Sequence, residues 1–344
     1  MAEVPPSPVG VLLLQLGTPD SAEVADVRKY LREFLSDPRV LDIPAPARWL
    51  LLNAVILPFR PKKSAEAYEK VWTEEGSPLL VFTEALVDKL QVALGDGYHV
   101  TYGMRYQSPS IASAVDRLEA AGCRQIVLLP QFPQYASASG GSATQRALEV
   151  IGGLRNVPDV RTVGPFFDHP GFLDAAAGIA RPLLDDFAAD HVLFSYHGLP
   201  EKQVIKSDRS GDWCLQNSWC CDSLNEKNAF CYRAQCFATT RGLMARLGLD
   251  GASATTTFQS RLAGQKWIEP YTDKELPKLY ATGVRRLAVL TPSFTADCLE
   301  TIEEIGIRGR KQWEELGGEA FLLIPCVNAD DGWVATVAEM ARNA

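Results

Sequence analysis

Leu287-Ala-Val-Leu290 runs almost directly into Pro292-Ser-Phe-Thr-Ala-Asp297-Cys-Leu-Glu300-Thr-Ile-Glu303-Glu304, an apolar strand-like stretch followed by a helix-like run. Strand followed by helix is the unit from which a parallel sheet with both faces covered is built. The same alternation recurs along the chain. Apolar, β-branched runs predict strands at Val11–Gln15, His99–Gly103, Gln125–Leu129 and Val160–Val163, then at His191–Phe194, Ala254–Phe258, Leu287–Leu290 and Phe321–Ile324. Four fall in each half. Between them, Val163-Gly-Pro-Phe-Phe-Asp-His-Pro170 carries two prolines and a glycine, which break regular structure and suit a crossing between domains. The expected fold class is therefore α/β, with two similar doubly wound domains and no visible sequence repeat between them.

A chain of 344 residues, 47% hydrophobic, is long enough for two medium domains with proper cores. Its formal net charge of −8 argues against a nucleic-acid partner, because such proteins carry basic stripes. Met1–Pro8 offers no positive flank before the run Gly10–Leu16, and that run is too short for a signal or a membrane span. It reads as a buried first strand, and a cytoplasmic location is expected.

The residues with chemical capacity follow the strands, where ligands of open α/β sheets bind. Arg105-Tyr106 follows the second, His197 the fifth, Gln259-Ser260-Arg261 the sixth, and the acidic run the seventh. At helical spacing Asp297, Glu300 and Glu304 stand at i, i+3 and i+7, so three carboxylates share one face. Such a row can hold a hard cation or relay protons, although acidic first turns are also favoured simply by the helix dipole. Phe194-Ser-Tyr-His197-Gly-Leu-Pro200 supplies a partner, an imidazole at a strand end where the chain then breaks. Imidazole exchanges protons near neutral pH and binds divalent metals. His99, His169 and His191 read as structural.

Three further segments are distinctive. Ser137-Ala-Ser-Gly-Gly-Ser142 is glycine-rich after a strand but lacks the GK[ST] and GxGxxG patterns, so a tight turn fits better than a phosphate cradle. Pro46–Leu57 is apolar nearly all round and is followed by Arg60, Lys62 and Lys63. It is too short to cross a bilayer, which takes about 20 apolar residues. It suits either a core helix or an interfacial one in contact through Trp49–Leu57, with Leu51, Leu52 and Ile56 as the side chains to test. Finally, of eight cysteines, Cys214, Cys220, Cys221, Cys231 and Cys236 crowd together, and in a reducing compartment such a cluster points to metal rather than disulfides.

Read together, Leu12–Asp20 (LLLQLGTPD), Met104–Ile111 (MRYQSPSI), Gln131–Ser142 (QFPQYASASGGS), FSYHGLP, Phe258–Thr272 (FQSRLAGQKWIEPYT) and Pro292–Glu304 (PSFTADCLETIEE) resemble the ferrochelatase family over nearly the whole chain. The resemblance implies two Rossmann-like domains, each a four-stranded parallel sheet flanked by helices, with a porphyrin cleft between them. The expected limits are residues 9–165, with a lip over 41–63, and 166–326, with a cysteine-rich insertion over 207–231. A C-terminal helix over 327–344 completes the chain.

It also implies a lyase that inserts Fe(II), its substrate, into a porphyrin to give haem and two protons. His197 and Glu300 would be the central pair that meets iron, with Asp297 and Glu304 extending an acidic path. Leu16, Arg105, Tyr106, Ser142 and Trp267 would contact porphyrin. The lip would place the protein on the inner face of an anionic membrane, which leans the substrate towards protoporphyrin IX, with coproporphyrin III the other option. Whether His197 takes protons or binds iron stays open, with proton acceptance weighted more.

The runner-up activities are a cobalt or nickel tetrapyrrole chelatase and a non-catalytic porphyrin- or haem-binding protein. Some bacterial members carry a 2Fe–2S cluster. The resemblance makes Cys214, Cys220, Cys221 and Cys231 its candidate ligands, with Cys236 as alternate and zinc or a metal-free thiol loop as rivals. The chain departs from the family pattern at Gln15, where Asn is usual, at Cys298, which is His in some members, and in the insertion Ser207–Phe230. Oligomeric state is left open.

Overall fold

The computed structural model describes residues 7–262 and 264–344. Eight strands form two separate four-stranded sheets, and every pairing between strands is parallel. The first sheet contains β1 (Val9–Gly17), β2 (Tyr98–Tyr106), β3 (Gln125–Pro130) and β4 (Asp159–Thr162) in the order β2-β1-β3-β4. The second contains β5 (His191–His197), β6 (Ala254–Gln259), β7 (Arg286–Leu290) and β8 (Ala320–Leu323) in the order β6-β5-β7-β8. All eight strands expected from the apolar runs are present. Several extend further at their carboxyl ends, into Gly17, Tyr106, His197 and Gln259.

The continuous runs make physical sense. Val11, Leu12, Leu13 and Leu14 are all fully buried, because helices cover both faces of β1 and leave no polar side to alternate with. The edge strand β4 instead reads Asp-Val-Arg-Thr and is largely exposed, a polar edge that discourages pairing with another chain.

Contacts divide the chain into two units: residues 1–132, 137–165 and 329–344, and residues 133–136 with 166–328. In the first, Leu12, Leu14, Ile126 and Leu128 pack on Ile111, Val115 and Leu118 of the helix Ile111–Ala120 and on Ala143, Ala147 and Ile151 of the helix Ser142–Gly152. In the second, Leu193, Leu287, Val289 and Phe321 pack on Leu276, Leu279, Ile305 and Trp313. The last helix, Asp331–Arg342, belongs to the first unit. Lys89 donates to the Asp331 carboxylate at 2.7 Å, and Arg342 donates to the Ala93 carbonyl at 2.7 Å.

The apolar segment is a continuous helical rod, with α-helices Ala45–Leu50 and Leu57–Glu69 joined by a π-helical turn, Leu51–Ile56. Leu52 and Leu57 are buried towards the helix Val24–Ser36, where Arg32 donates to Asn53 at 3.2 Å. The exposed apolar side chains are Trp49 (67%), Leu50 (59%), Val55 (53%) and Phe59 (77%). Within the expected contact segment Trp49–Leu57, Leu52 and Leu57 therefore face inward, and Phe59 beyond it faces outward.

Candidate active site

In each sheet the chain leaves the central strand for one neighbour and then crosses to the other, so strand order reverses between β1 and β3 and between β5 and β7. Side chains leaving the carboxyl ends at such a switch point face a natural crevice. His197 ends β5. The acidic run follows β7. The second unit therefore brings the imidazole and the acidic helix to the same switch point.

His197 is held on several sides. Its backbone N–H donates to Ser293 Oγ at 3.0 Å, and its carbonyl accepts from the Tyr232 hydroxyl at 2.8 Å. Its Nδ1 lies 2.6 Å from the Gly198 carbonyl. A carbonyl only accepts, so Nδ1 carries the proton, and in the neutral ring Nε2 is the nitrogen with a free lone pair. Phe294 stands edge-on to the ring at 6.4 Å. Trp267 pairs with Pro200 across an antiparallel bridge and is 6% exposed, and its indole N–H has no hydrogen-bond partner among the described residues.

The acidic run differs from the expected single face. The helix is π-type over Glu300–Gly309, and Asp297 lies before it. Asp297 is buried, and both oxygens are occupied: Oδ1 accepts from Thr301 at 2.9 Å, and Oδ2 accepts from Asn328 at 2.8 Å and from the Cys326 amide at 3.2 Å. Asp297 thus ties the loop before the helix to Thr301, Asn328 and Cys326 instead of lining the helix face. Glu300 and Glu304 remain on the helix and half-buried. Glu304 accepts from the Ser260 amide at 2.9 Å and hydroxyl at 2.5 Å, with Ser260 in the left-handed region at φ 64°. Glu303 is turned away and pairs with Arg308 at 2.7 Å.

In the first unit Arg105, Tyr106 and Ser142 do meet, around a residue that the motifs did not single out. Asp37 Oδ2 accepts from Arg105 Nη2 at 2.8 Å, from the Tyr106 hydroxyl at 2.8 Å and from Ser142 Oγ at 2.5 Å. Its Oδ1 accepts from the Arg39 amide at 2.7 Å. Burial pushes the Asp37 carboxyl upward, but the Ser142, Arg39 and Tyr106 hydrogen bonds and the Arg105 charge outweigh it and hold it below its ordinary value. Tyr106 and Ser142 are buried, and burial pushes the Tyr106 phenol well up. Of the three, Arg105 is the one with access to solvent, its side chain 20% exposed. Leu16, near the end of β1, is half-buried. Gly17 follows at φ +117°, where a Cβ would lie 2.0 Å from the Tyr106 carbonyl, so only glycine lets β1 and β2 run together here.

In the insertion, Cys214, Cys220, Cys221 and Cys231 are all buried and form a chain of neighbours. The Cys220 and Cys221 sulfurs are 3.7 Å apart, Cys221 hydrogen-bonds Cys231, and Cys231 hydrogen-bonds Cys214. That contact with Cys214, together with burial, pushes the Cys231 thiol up to about 11. Arg233 donates to Cys221 Sγ at 3.2 Å. Cys236 sits one turn into the helix Tyr232–Leu247, fully buried and in contact with Tyr232. Among the described residues, no group of three or more His, Cys, Asp or Glu side chains is set at metal-holding geometry.

A model of the family described as ferrochelatase matches residues 8–344. The chain belongs to the ferrochelatase family. A ferrochelatase of Coxiella burnetii (strain CbuK_Q154) is 46% identical over 334 residues, covering 97% of this chain and 93% of that protein. One from Legionella pneumophila (strain Lens) is 46% identical over 333 residues, covering 97% and 98%. Two solved structures share the fold: SirB from Bacillus subtilis with Fe3+ (TM-score 0.54, 9% identity, 98% of this chain and 95% of that one) and CbiX, the terminal enzyme of sirohaem biosynthesis in denitrifying bacteria (TM-score 0.50, 12% identity, 98% and 99%). As a ferrochelatase family member the protein is a lyase that inserts iron into a porphyrin to make haem. Two four-stranded parallel sheets flanked by helices are the framework for that activity.

Proposed function

We propose that His197 and Glu300 form the reacting pair for iron insertion, with His197 Nε2 as the proton acceptor and Glu300 as the carboxylate that meets Fe(II). The carrying observation is the Nδ1–H contact to the Gly198 carbonyl, which directs the lone pair to Nε2. Pyrrole N–H groups are weak acids, so a fixed neutral base lowers the cost of losing them as iron arrives. A carboxylate, a hard oxygen donor, holds the borderline ferrous ion loosely enough to release it to the ring nitrogens. Glu304, tied to Ser260, extends the acidic route, and Arg105 is the first unit's group for contact with the porphyrin.

Protoporphyrin IX is the preferred substrate, coproporphyrin III the second. The exposed Trp49, Leu50, Val55 and Phe59 beside Arg60, Lys62 and Lys63 support a docking face for an anionic membrane, where an apolar dicarboxylic porphyrin would be met. The insertion is read as a 2Fe–2S site. Four buried neighbouring thiols are soft donors, and the guanidinium at Cys221 would offset the negative charge of the thiolates once a centre replaced their protons, which would require the four sulfurs to converge further than they do here. Cys214, Cys220, Cys221 and Cys231 would hold it in a structural or redox-sensing role.

The test is anaerobic incubation with Fe(II) and either porphyrin, following the Soret band. Wild type forms haem, and His197→Ala or Glu300→Gln lowers kcat by at least about 10²-fold. Absence of iron insertion by the wild type with both porphyrins overturns the reading. Unchanged rates in either variant overturn the assignment of the pair.

A further inference from the structure

His197 and Glu300 leave different strands, and one buried side chain connects their supports. Gln259 ends β6, in register with His197 on β5. Side chains alternate along a strand, so Ser195, His197, Thr257 and Gln259 share one face of the sheet. On that face runs a buried polar thread. Thr257 contacts Thr272 at 2.9 Å, Thr272 contacts Ser195 at 2.8 Å, and Ser195 donates to Gln259 Oε1 at 2.8 Å. Gln259 Nε2 then donates to the Glu300 carbonyl at 2.8 Å, with Glu304 Oε2 at 3.4 Å. The Gln259 backbone carbonyl accepts from the Gly198 amide at 2.8 Å. A Cβ on Gly198 would lie 2.7 Å from that carbonyl, so the approach is open only to glycine.

We propose that Gln259 is a positioning residue for the reaction, fixing the first residue of the acidic π-helix against the strand end that carries His197. The proposal rests on His197 and Glu300 being the reacting pair. Its logic is geometric. The carbonyl bonded by Gln259 is Glu300's own, at the first residue of the π-helix, so this one bond ties the backbone that carries the Glu300 carboxylate directly to the strand end. Gln259 is 3% exposed, and both edges of its amide are used: the oxygen accepts from Ser195, and the NH2 donates to the Glu300 carbonyl and, more weakly, to Glu304. A residue without the donor edge leaves Glu300 free to shift along the helix axis.

Two variants test this. In Gln259→Met the donor is lost at similar volume. We expect kcat for iron insertion to fall about 10²-fold, with KM for the porphyrin changed by less than about 3-fold, because misplacement by about 1 Å is enough for such a loss. Gln259→Glu keeps the shape and provides a switch. Its carboxyl takes the place of an amide that meets the Glu300 carbonyl and Glu304 Oε2, with His197 in register on β5, while Asp273, beyond Thr272, is paired with Arg261 at 2.7 Å. Burial and the neighbouring Glu304 carboxylate favour the protonated form, which can donate to the Glu300 carbonyl as the amide does. The activity of Gln259→Glu relative to wild type should therefore be close to one at the acid end of the profile and fall as pH rises and the group ionises. A folded Gln259→Met with wild-type kcat, or a Gln259→Glu ratio independent of pH, overturns the proposal. Where Gln259→Met fails to fold, the Gln259→Glu profile decides. A wild type that inserts no iron overturns the function instead, so the two failures are separable.

Discussion

Replacing Asp37 by Asn keeps the shape of the first unit's polar hub and removes its charge. Asp37 is 4% exposed as a side chain and carries four hydrogen bonds, three on Oδ2 and one on Oδ1. An amide cannot meet both sets. With its oxygen towards Arg105, Tyr106 and Ser142, its NH2 faces the Arg39 amide. With the amide flipped, its NH2 faces the three donors. Breaking one half of a fully buried ion pair costs about 3–5 kcal/mol. Arg105 keeps partial access to water and a 2.7 Å bond from Nε to Ser142, so about 2–4 kcal/mol is expected here.

The sign with pH follows from the lowered carboxyl. A carboxylate depressed on folding contributes stability above its unfolded value of about 3.9, and that contribution disappears as pH falls through the folded value. Urea unfolding of wild type and Asp37→Asn, followed by circular dichroism from pH 7 to pH 3, should show a gap of about 2–4 kcal/mol at neutral pH that closes below about pH 4. A gap under about 0.5 kcal/mol at pH 7, or one unchanged across the range, refutes the reasoning.

Two further outcomes follow from exposed and buried groups outside that hub. Wild type should co-sediment with vesicles containing anionic lipid, less so at high salt, and Trp49→Ser with Phe59→Ser should abolish this while Leu52→Ser chiefly destabilises the fold; vesicle binding that survives the double change would place the membrane face elsewhere. Anaerobically purified protein should be brown with equal iron and labile sulfide, Cys221→Ser should be colourless and Cys236→Ser should keep the colour; colourless wild type with stoichiometric zinc would decide for zinc.

The fold was legible because a parallel strand covered on both faces must be apolar without interruption, as Val11–Leu14 and Leu287–Leu290 are, and the β-branched and aromatic runs between helices mark the rest. The acidic run was legible as chemistry but not as geometry. Counting i, i+3, i+7 assumes an α-helix beginning before Asp297, whereas Asp297 spends both oxygens closing the loop to Thr301, Asn328 and Cys326, and a π-helix starts at Glu300. Nothing in residue type announces an i→i+5 pattern. Asp37 was hidden for another reason. In Ser36-Asp37-Pro38 an aspartate before proline at a helix end is ordinary turn chemistry, and its partners Arg105 and Ser142 lie far along the chain.

The two halves also explain why no repeat is visible in the sequence. Both sheets have the same strand order, so the shared constraint is apolarity at strand positions, which many sequences satisfy. What differs is the polar chemistry at each switch point. The first sheet closes its end around a buried carboxylate and an arginine, a pair whose charges balance. The second gathers an imidazole, with its Nδ1 spent on a carbonyl, and two carboxylates whose helix is fastened by Gln259 and Ser260. A balanced pair is suited to holding a substrate in register and an unbalanced acidic one to attracting a divalent ion and passing protons. The division of labour proposed above, porphyrin contact at Arg105 and metal chemistry at His197 and Glu300, accords with that difference in charge on sheets of the same strand order.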